Sequence, residues 1–490
     1  MQENRITNNK NFIMMAILIA TFMTSVETTI ITTALPTIVS QLNGISLQSW
    51  VFATYLLLTA VTTPIYGKFA DRIGRKPVFL TGLIIFTIGS FLCGVSNNMT
   101  ILIIFRALQG IGAGAIMPIT FTMIADLFDY QKRSKMLAMN NTAWGISALL
   151  GPLLGGYIVD KLSWHWVFFI NVPIGILVIL IISFKYKEKR KKHIKRPLDI
   201  KGILSLSGLL ILVLTFFQTL SQANVSSIQM LVILFLIVMF VIAFIIFERQ
   251  ASDPIIPFTL FHNRLFSIQI TTALLLSAIQ IGFQTYFPMW LQSIYKTTAT
   301  VGGLSVSPSP IFWLLSSFFV GTLVKRRSPK YITLPLIALM MVAYLPLLFI
   351  DSRFNQTIFF VISGITGVTL GITITMNTLV AQRIVPEESL GTASSMITLG
   401  RTLGQTLAAG TFGLVFNMSL NSGLKKHATV DQNMIDQSIK GVYQSPLVAD
   451  EDTINQIILT GMHTVFSVAL ILFVIVLIVN LADRNREVIK

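Results

Sequence analysis

Residues 67–76 read GKFADRIGRK, and a related string, GTLVKRRSPK, returns at 321–330. A second pair behaves alike: LLGPLLGG at 149–156 is echoed by TLGQTLAA at 402–409. The two pairs are separated by nearly equal lengths of chain, which marks a duplicated unit rather than chance similarity. Each decapeptide lies in a short hydrophilic gap between long apolar runs. The duplicated object is therefore a set of hydrophobic segments joined by charged turns.

Hydrophobic residues make up 53% of the 490-residue chain and charged residues only 11%, where a soluble protein carries roughly 25% charged. That balance excludes folding in water. Apolar blocks lie near 11–35, 50–69, 77–96, 100–123, 136–158, 164–184, 202–219, 228–247, 266–290, 301–323, 331–350, 357–381, 390–416 and 459–481. Each is long enough to cross a hydrocarbon core of about 30 Å as a helix. Backbone groups in lipid must be satisfied within the segment, which selects helix. The expectation is an all-α polytopic membrane protein with fourteen transmembrane helices. The first block follows MQENRITNNK, contains Glu27 and lacks a small-residue cleavage site, so it reads as a retained helix rather than a removable signal.

The offset between the echoes is longer than one six-helix unit needs, which gives a 6+2+6 plan. Residues 1–184 form an amino-terminal six-helix bundle and 266–490 a pseudo-symmetric carboxy-terminal one. Between them lie a basic linker at 185–201, two inserted helices within 202–247 and a second linker at 248–265. The segment at about 417–458 is expected as an extracellular loop. Parallel halves of this kind mark a secondary transporter with its site near the middle of the membrane.

Lys and Arg gather in alternate gaps, most densely in KYKEKRKKHIKRPLDIK at 185–201. By the positive-inside rule both termini are cytoplasmic, and the basic run meets anionic membrane lipid. The net charge of +16 thus has a topological origin. The basic residues are not interleaved with aromatics on one surface, which argues against a nucleic-acid partner. Cys93 is the single cysteine and forms no internal disulfide. No G-x-x-x-x-G-K-[ST] loop is present, which argues against an ATP-driven pump. The 5 histidines are scattered over gaps and ends, so no metal site, no cofactor and no enzymatic centre are expected.

Glu27 and Arg106 interrupt apolar runs. An ionised side chain at mid-membrane costs about 2.5–3.5 kcal/mol even on lenient insertion scales, so an acid there must be protonated, paired or hydrated. Desolvation favours its neutral form and a nearby cation its charged form, and a balance of the two lets it load a proton from one side and release it on the other. Arg106 has two ways of being satisfied: an ion pair with Glu27, or hydrogen bonds to backbone carbonyls. The loop at 67–76 supplies Gly67 for close helix approach, Asp71 as an acceptor at a helix terminus, and Arg72 and Arg75 as charges. Gly145, Gly151, Pro152, Gly155 and Gly156 predict tight packing and a local bend that seal one side of the bundle. Tyr55, Gln280, Phe283, Gln284, Tyr286 and Asn377 are intramembrane polar or aromatic candidates for a loosely selective substrate lining. Arg401 reads either as buried or as a side chain that snorkels to the interface.

GKFADRIGRK resembles the signature loop of the major facilitator superfamily, and RALQGIGAG at 106–114 and WGISALLGPLLGG at 144–156 match two further motifs of that family. VETTIITTALP at 26–36 and WHWVFFINVPIG at 164–175 are similar to motifs of its fourteen-helix drug:proton antiporter group. The resemblance implies a major facilitator fold working by alternating access. It also implies export of small lipophilic or amphiphilic drugs from a bacterial plasma membrane, coupled to protons through Glu27 and Arg106, with the chain acting as a monomer. The group usually carries Asp where this chain has Glu27, and Arg is commoner at His165. The second-half echo of the loop has lost its acid. Alternative functions are exchange of another solute, such as a metal–tetracycline complex, monovalent cation, lipid or metabolite, or, more remotely, membrane sensing without transport.

Overall fold

The computed structural model describes residues 2–42, 48–188, 199–220, 226–252, 254, 256, 258–297, 299–351, 353–427, 430, 434–435 and 451–484. The helices in order are α1 (Gln2–Gln41), α2 (Gln48–Ile73), α3 (Arg75–Gly94), α4 (Met99–Leu127), α5 (Tyr130–Lys161), α6 (His165–Phe169), α7 (Asn171–Lys185), α8 (Ile200–Leu220) and α9 (Ser227–Gln250). They continue as α10 (Phe258–His262), α11 (Arg264–Ser293), α12 (Ala299–Leu304), α13 (Pro308–Ser317), α14 (Val320–Arg326), α15 (Pro329–Tyr344), α16 (Thr357–Arg383), α17 (Leu390–Lys426) and α18 (Glu451–Leu481). Local chemistry sets the boundaries. Gly74, at φ 101°, turns the chain between α2 and α3 in a region that L side chains avoid. The Asn98 side chain accepts from the Ile101 amide at 2.9 Å and starts α4.

Among the described residues ten helices are long and apolar enough to cross a membrane, or eleven if one bent pair is a single span. Three other helices at expected crossings fall outside that set. α17 is diluted by Gly, Ser, Thr and Gln, α5 carries Asn140, Asn141 and several glycines, and the described apolar part of α8 is Ile200–Val213. The block at 301–323, expected as one helix, is broken: Val301–Ser317 and Val320–Arg326 meet at 51°. Gly302, Gly303, Pro308 and Pro310 lie before this bend and weaken the first piece, where α12 gives way to α13. α17 runs on to Lys426 and α18 begins at Glu451, so both ends of the 417–458 segment are helical.

The chain divides into two compact units. The first comprises Met1–Thr215, Ile228–Ser267 and Thr378–Leu399. Its largest helix contacts are α3 with α4, α1 with α5 and α2 with α4. The glycine face of α4 makes these approaches possible. A Cβ on Gly112 would strike the Phe86 amide nitrogen, and one on Gly110 would lie 2.5 Å from the Tyr55 carbonyl. The same face exposes carbonyls to α2, where the hydroxyls of Thr59, Thr62 and Thr63 donate to Gly110, Ile111 and Gly114 at 3.2, 3.3 and 3.3 Å. Small residues plus hydroxyl donors are how helices associate where lipid removes the hydrophobic drive between them.

The second unit comprises Phe216–Ser227, Ile268–Asn377 and Gly400–Lys490. Its centre is a cluster of rings. Phe287 meets Phe359 and Phe466 at centroid separations of 5.1 and 5.6 Å, and Tyr344 meets Phe473 at 5.1 Å. Around it, Gly367 packs on the backbone of Ser309, and the Ser317 hydroxyl donates to the Gly371 carbonyl at 2.9 Å.

Candidate functional site

Five helices of the first unit converge on a wholly buried polar centre. Glu27 comes from α1, and Arg106 and Gln109 from one face of α4; all three are fully buried. Arg106 Nη1 donates to Glu27 Oε1 at 2.5 Å and to Gln109 Oε1 at 2.7 Å, while its Nε donates to the Val51 carbonyl at 3.2 Å. Both arrangements anticipated for Arg106 are thus present at once. The second carboxylate oxygen, Oε2, accepts from Asn171 Nδ2 at 2.6 Å, and the same amide reaches Ser90 Oγ at 3.0 Å. Ser90 is fixed in turn by donating to the Phe168 carbonyl at 2.9 Å. The guanidinium lies 4.3 Å from the Tyr55 ring centroid, and the Tyr55 hydroxyl donates to the Thr24 carbonyl at 3.2 Å.

The charge of the pair is therefore cancelled locally, and most of its hydrogen-bonding capacity is used. Arg106 Nη2 and Gln109 Nε2 remain without partners. A buried donor without an acceptor costs about 1–3 kcal/mol.

Of the sequence candidates, Glu27, Arg106 and Tyr55 are brought together here. Gln109 belongs to the family motif at 106–114 and Asn171 lies within the motif at 164–175, whereas Ser90 lies in neither; each is a polar residue within an apolar run. In the second unit, Gln280, Phe283, Tyr286 and Asn377 are buried and Gln284 is half-buried. Phe283 stacks edge-on with Phe287 at 5.7 Å and Tyr286 with Phe416 at 5.4 Å, so both belong to the aromatic core. Asn377 Nδ2 donates to the Gln269 carbonyl at 3.2 Å, leaving its Oδ1 unpartnered. Arg401 is buried, at 4% exposure, and does not snorkel.

The 67–76 loop acts on helix ends. Asp71 accepts from the Gly391 amide at 2.8 Å, the Thr392 amide at 2.6 Å and the Thr392 hydroxyl at 2.7 Å, which caps the start of α17. Gly67 lies where a Cβ would clash with Ser395. Glu188 accepts from the Arg75 and Lys76 amides at 2.7 and 3.1 Å and caps α3, while Arg75 Nε sits 3.3 Å from Asp126. Arg72 is half-buried beside them. Tyr186, just beyond α7, is pushed well above the ordinary phenol range, first by burial and then by Asp126 and Glu188, and stays a neutral hydroxyl. Arg75, Asp126, Tyr186 and Glu188 border a cavity of about 750 Å³. In α5, Gly151 packs against Thr29, whose hydroxyl donates to the Ser147 carbonyl at 3.0 Å, and Gly155 is buried while Gly145 is half-buried. The surroundings of Pro152 and Gly156 lie outside the described residues.

Membrane-length helices packed through small residues, with an ion pair sealed inside one bundle, define a multi-pass membrane protein. A family model described as Major Facilitator Superfamily matches residues 17–409, and the chain belongs to that family. Multidrug resistance protein 3 of Bacillus subtilis is 37% identical over 428 residues, covering 85% of this chain and 83% of its own length. Multidrug transporter protein MdtP of the same organism is 32% identical over 466 residues, covering 92% and 86%. Among solved structures, the human organic anion transporter MFSD10 (TETRAN) superposes with a TM-score of 0.64 at 13% identity, covering 96% of this chain and 99% of that one, and shares the fold. The protein is accordingly a transporter and not an enzyme, and its relatives are multidrug transporters.

Proposed function

We propose that the protein is a proton-coupled multidrug efflux antiporter that exports small lipophilic or amphiphilic drugs across a bacterial plasma membrane by alternating access. In this reading the chain is a monomer, crosses the bilayer fourteen times on a 6+2+6 plan and keeps both termini in the cytoplasm. The observation that carries it is the sealed Glu27–Arg106 pair, whose partners come from separate helices. When the bundle rocks, a small displacement of Arg106 or Asn171 removes charge stabilisation from Glu27 and burial then favours its neutral form. Restoring those contacts expels the proton. Tyr55 brings aromatic surface to this site, and Gln280, Phe283, Gln284, Tyr286 and Asn377 supply the lining of the second unit. Asp71 and Gly67 hold α17 in one of the two states, and the α5 glycines with Pro152 limit leak.

Reconstitution into vesicles containing a pH-sensitive dye tests this directly. Wild-type protein is expected to move protons when a transported drug is added, and Glu27→Gln is expected to abolish that movement while retaining drug binding. Drug-driven proton movement that survives in Glu27→Gln would remove Glu27 from the coupling step.

A further inference from the structure

The inserted helices contain a second buried acid. α9 is exposed along almost its whole length; its buried positions are Ile233, Phe244 and Glu248. The first two are what an apolar helix offers a neighbour, and Gly208 of α8 accommodates Phe240 on the same contact. Glu248 is 2% exposed and takes the last place on that face. A charged residue there needs a partner that removes its charge or answers it.

The geometry around Glu248 identifies the partner. Its Oε1 accepts from the Ile256 amide at 2.5 Å. Asp199, just before α8, uses its Oδ1 in the same way, accepting from the Gly202 amide at 2.7 Å as the cap of that helix. The two remaining oxygens, Glu248 Oε2 and Asp199 Oδ2, have no hydrogen-bond donor. Both lie over Gly202: a Cβ there would be 2.7 Å from Glu248 Oε2 and would clash with Asp199 Oδ2. Glycine at 202 is thus what leaves room for the two carboxyls to approach each other.

Among the described residues, the charged groups facing this spot do not neutralise both acids. Lys68 of α2 acts on Glu248 through space without bonding either outer oxygen. Lys201 lies 5.6 Å from the Phe247 ring, and Arg249 follows Glu248 on α9. Among the described residues one nearby cation is set against two facing carboxylates, which brings like charges close at a buried place, an arrangement that retains a proton on one of them.

We propose that Glu248 and Asp199 form a proton-binding site separate from Glu27, in which one proton held between Oε2 and Oδ2 ties the end of α9 to the start of α8. The site goes beyond the exchange reading and does not depend on it. Loss of that proton as the pH rises sets two carboxylates against each other and loosens the inserted pair.

Infrared difference spectroscopy in lipid nanodiscs tests this, in a Glu27→Gln background so that the central acid cannot contribute. The expected result is a carboxylic-acid carbonyl band that shifts in deuterated water, fades as the pH is raised, and is lost in the further variant Glu248→Gln. Asp199→Asn should also abolish it, because the amide donates to Glu248 Oε2 and keeps the α8 cap; this variant carries the test should Glu248→Gln fail to fold. Identical spectra with and without Glu248 would overturn the proposal, as would a wild-type pair that gives no such band because a cation bridges it. Glu248→Gln alone should retain drug-driven proton movement, so loss of the band with exchange intact separates this site from Glu27.

Discussion

The two units fill their centres with opposite chemistry. In the first, Glu27, Tyr55, Ser90, Arg106, Gln109 and Asn171 are buried together around one ion pair. In the second, Phe287, Trp290, Tyr344, Phe359, Phe466 and Phe473 form a continuous stack of rings. One unit therefore has a directional centre and the other a plastic one. Hydrogen bonds to a carboxylate hold only within a few tenths of an ångström and lose strength steeply off-axis. Ring contacts are worth about 0.5–1.5 kcal/mol each beyond their buried area and tolerate several geometries. The first unit suits a switch with discrete states, and the second suits a surface that yields to ligands of different shape.

The largest expected effect comes from removing one member of the ion pair. Arg106→Ala leaves Glu27 buried without its cation, and breaking a buried pair in this way costs about 3–5 kcal/mol. Glu27→Gln combined with Arg106→Gln removes both charges and should recover most of that loss. Equilibrium unfolding in mixed micelles measures all three. An Arg106→Ala protein as stable as wild type would mean that Glu27 has another counter-charge, and the contrast between the units would lose its basis.

Next in size is the neutral ligand of the carboxylate. Asn171→Leu is close in volume and removes the 2.6 Å hydrogen bond to Glu27 Oε2, while Ser90 keeps its bond to the Phe168 carbonyl. A hydrogen bond to a charged group contributes about 1.5–3 kcal/mol. The loss should appear in stability and, if Asn171 helps hold Glu27 ionised, in the pH at which drug-driven proton movement is half-maximal. Unfolding without change, combined with an unaltered pH profile, would reduce Asn171 to a spacer.

The contrast between the units was only partly legible in the sequence. Helical segments at membrane length follow from apolar blocks, because lipid leaves the backbone no other way to satisfy itself. Glu27 and Arg106 stood out for the same reason: each is a charge where solvation is absent. Ser90 and Asn171 did not, because a neutral polar residue in a helix has many local ways to be satisfied, and the partners of Asn171, Glu27 and Ser90, lie far away in the chain. The sequence offers Phe283 and Tyr286 as aromatic lining, and only the structure shows the rings they rest on, Phe287 and Phe416. Glu248 follows directly on the apolar block at 228–247, where an acid is ordinarily solvated, and only the approach of Asp199 over Gly202 shows it to be enclosed.

The smallest effect belongs to the polar edge of the aromatic unit. Tyr344 is fully buried, and its hydroxyl shares a hydrogen bond of 3.1 Å with Thr366 Oγ1, which itself donates to the Ile362 carbonyl at 2.8 Å. Tyr344→Phe removes that hydroxyl but keeps the ring against Phe466 and Phe473. Thr366 retains its carbonyl acceptor, so no donor is orphaned. A neutral hydrogen bond of this kind contributes about 0.5–1.5 kcal/mol, and the change should leave the pH dependence of transport untouched because no charge lies in the contact. If Tyr344→Phe instead shifts that pH dependence as strongly as Asn171→Leu, the second unit takes part in proton handling, and the assignment of charge to one unit and plasticity to the other is wrong.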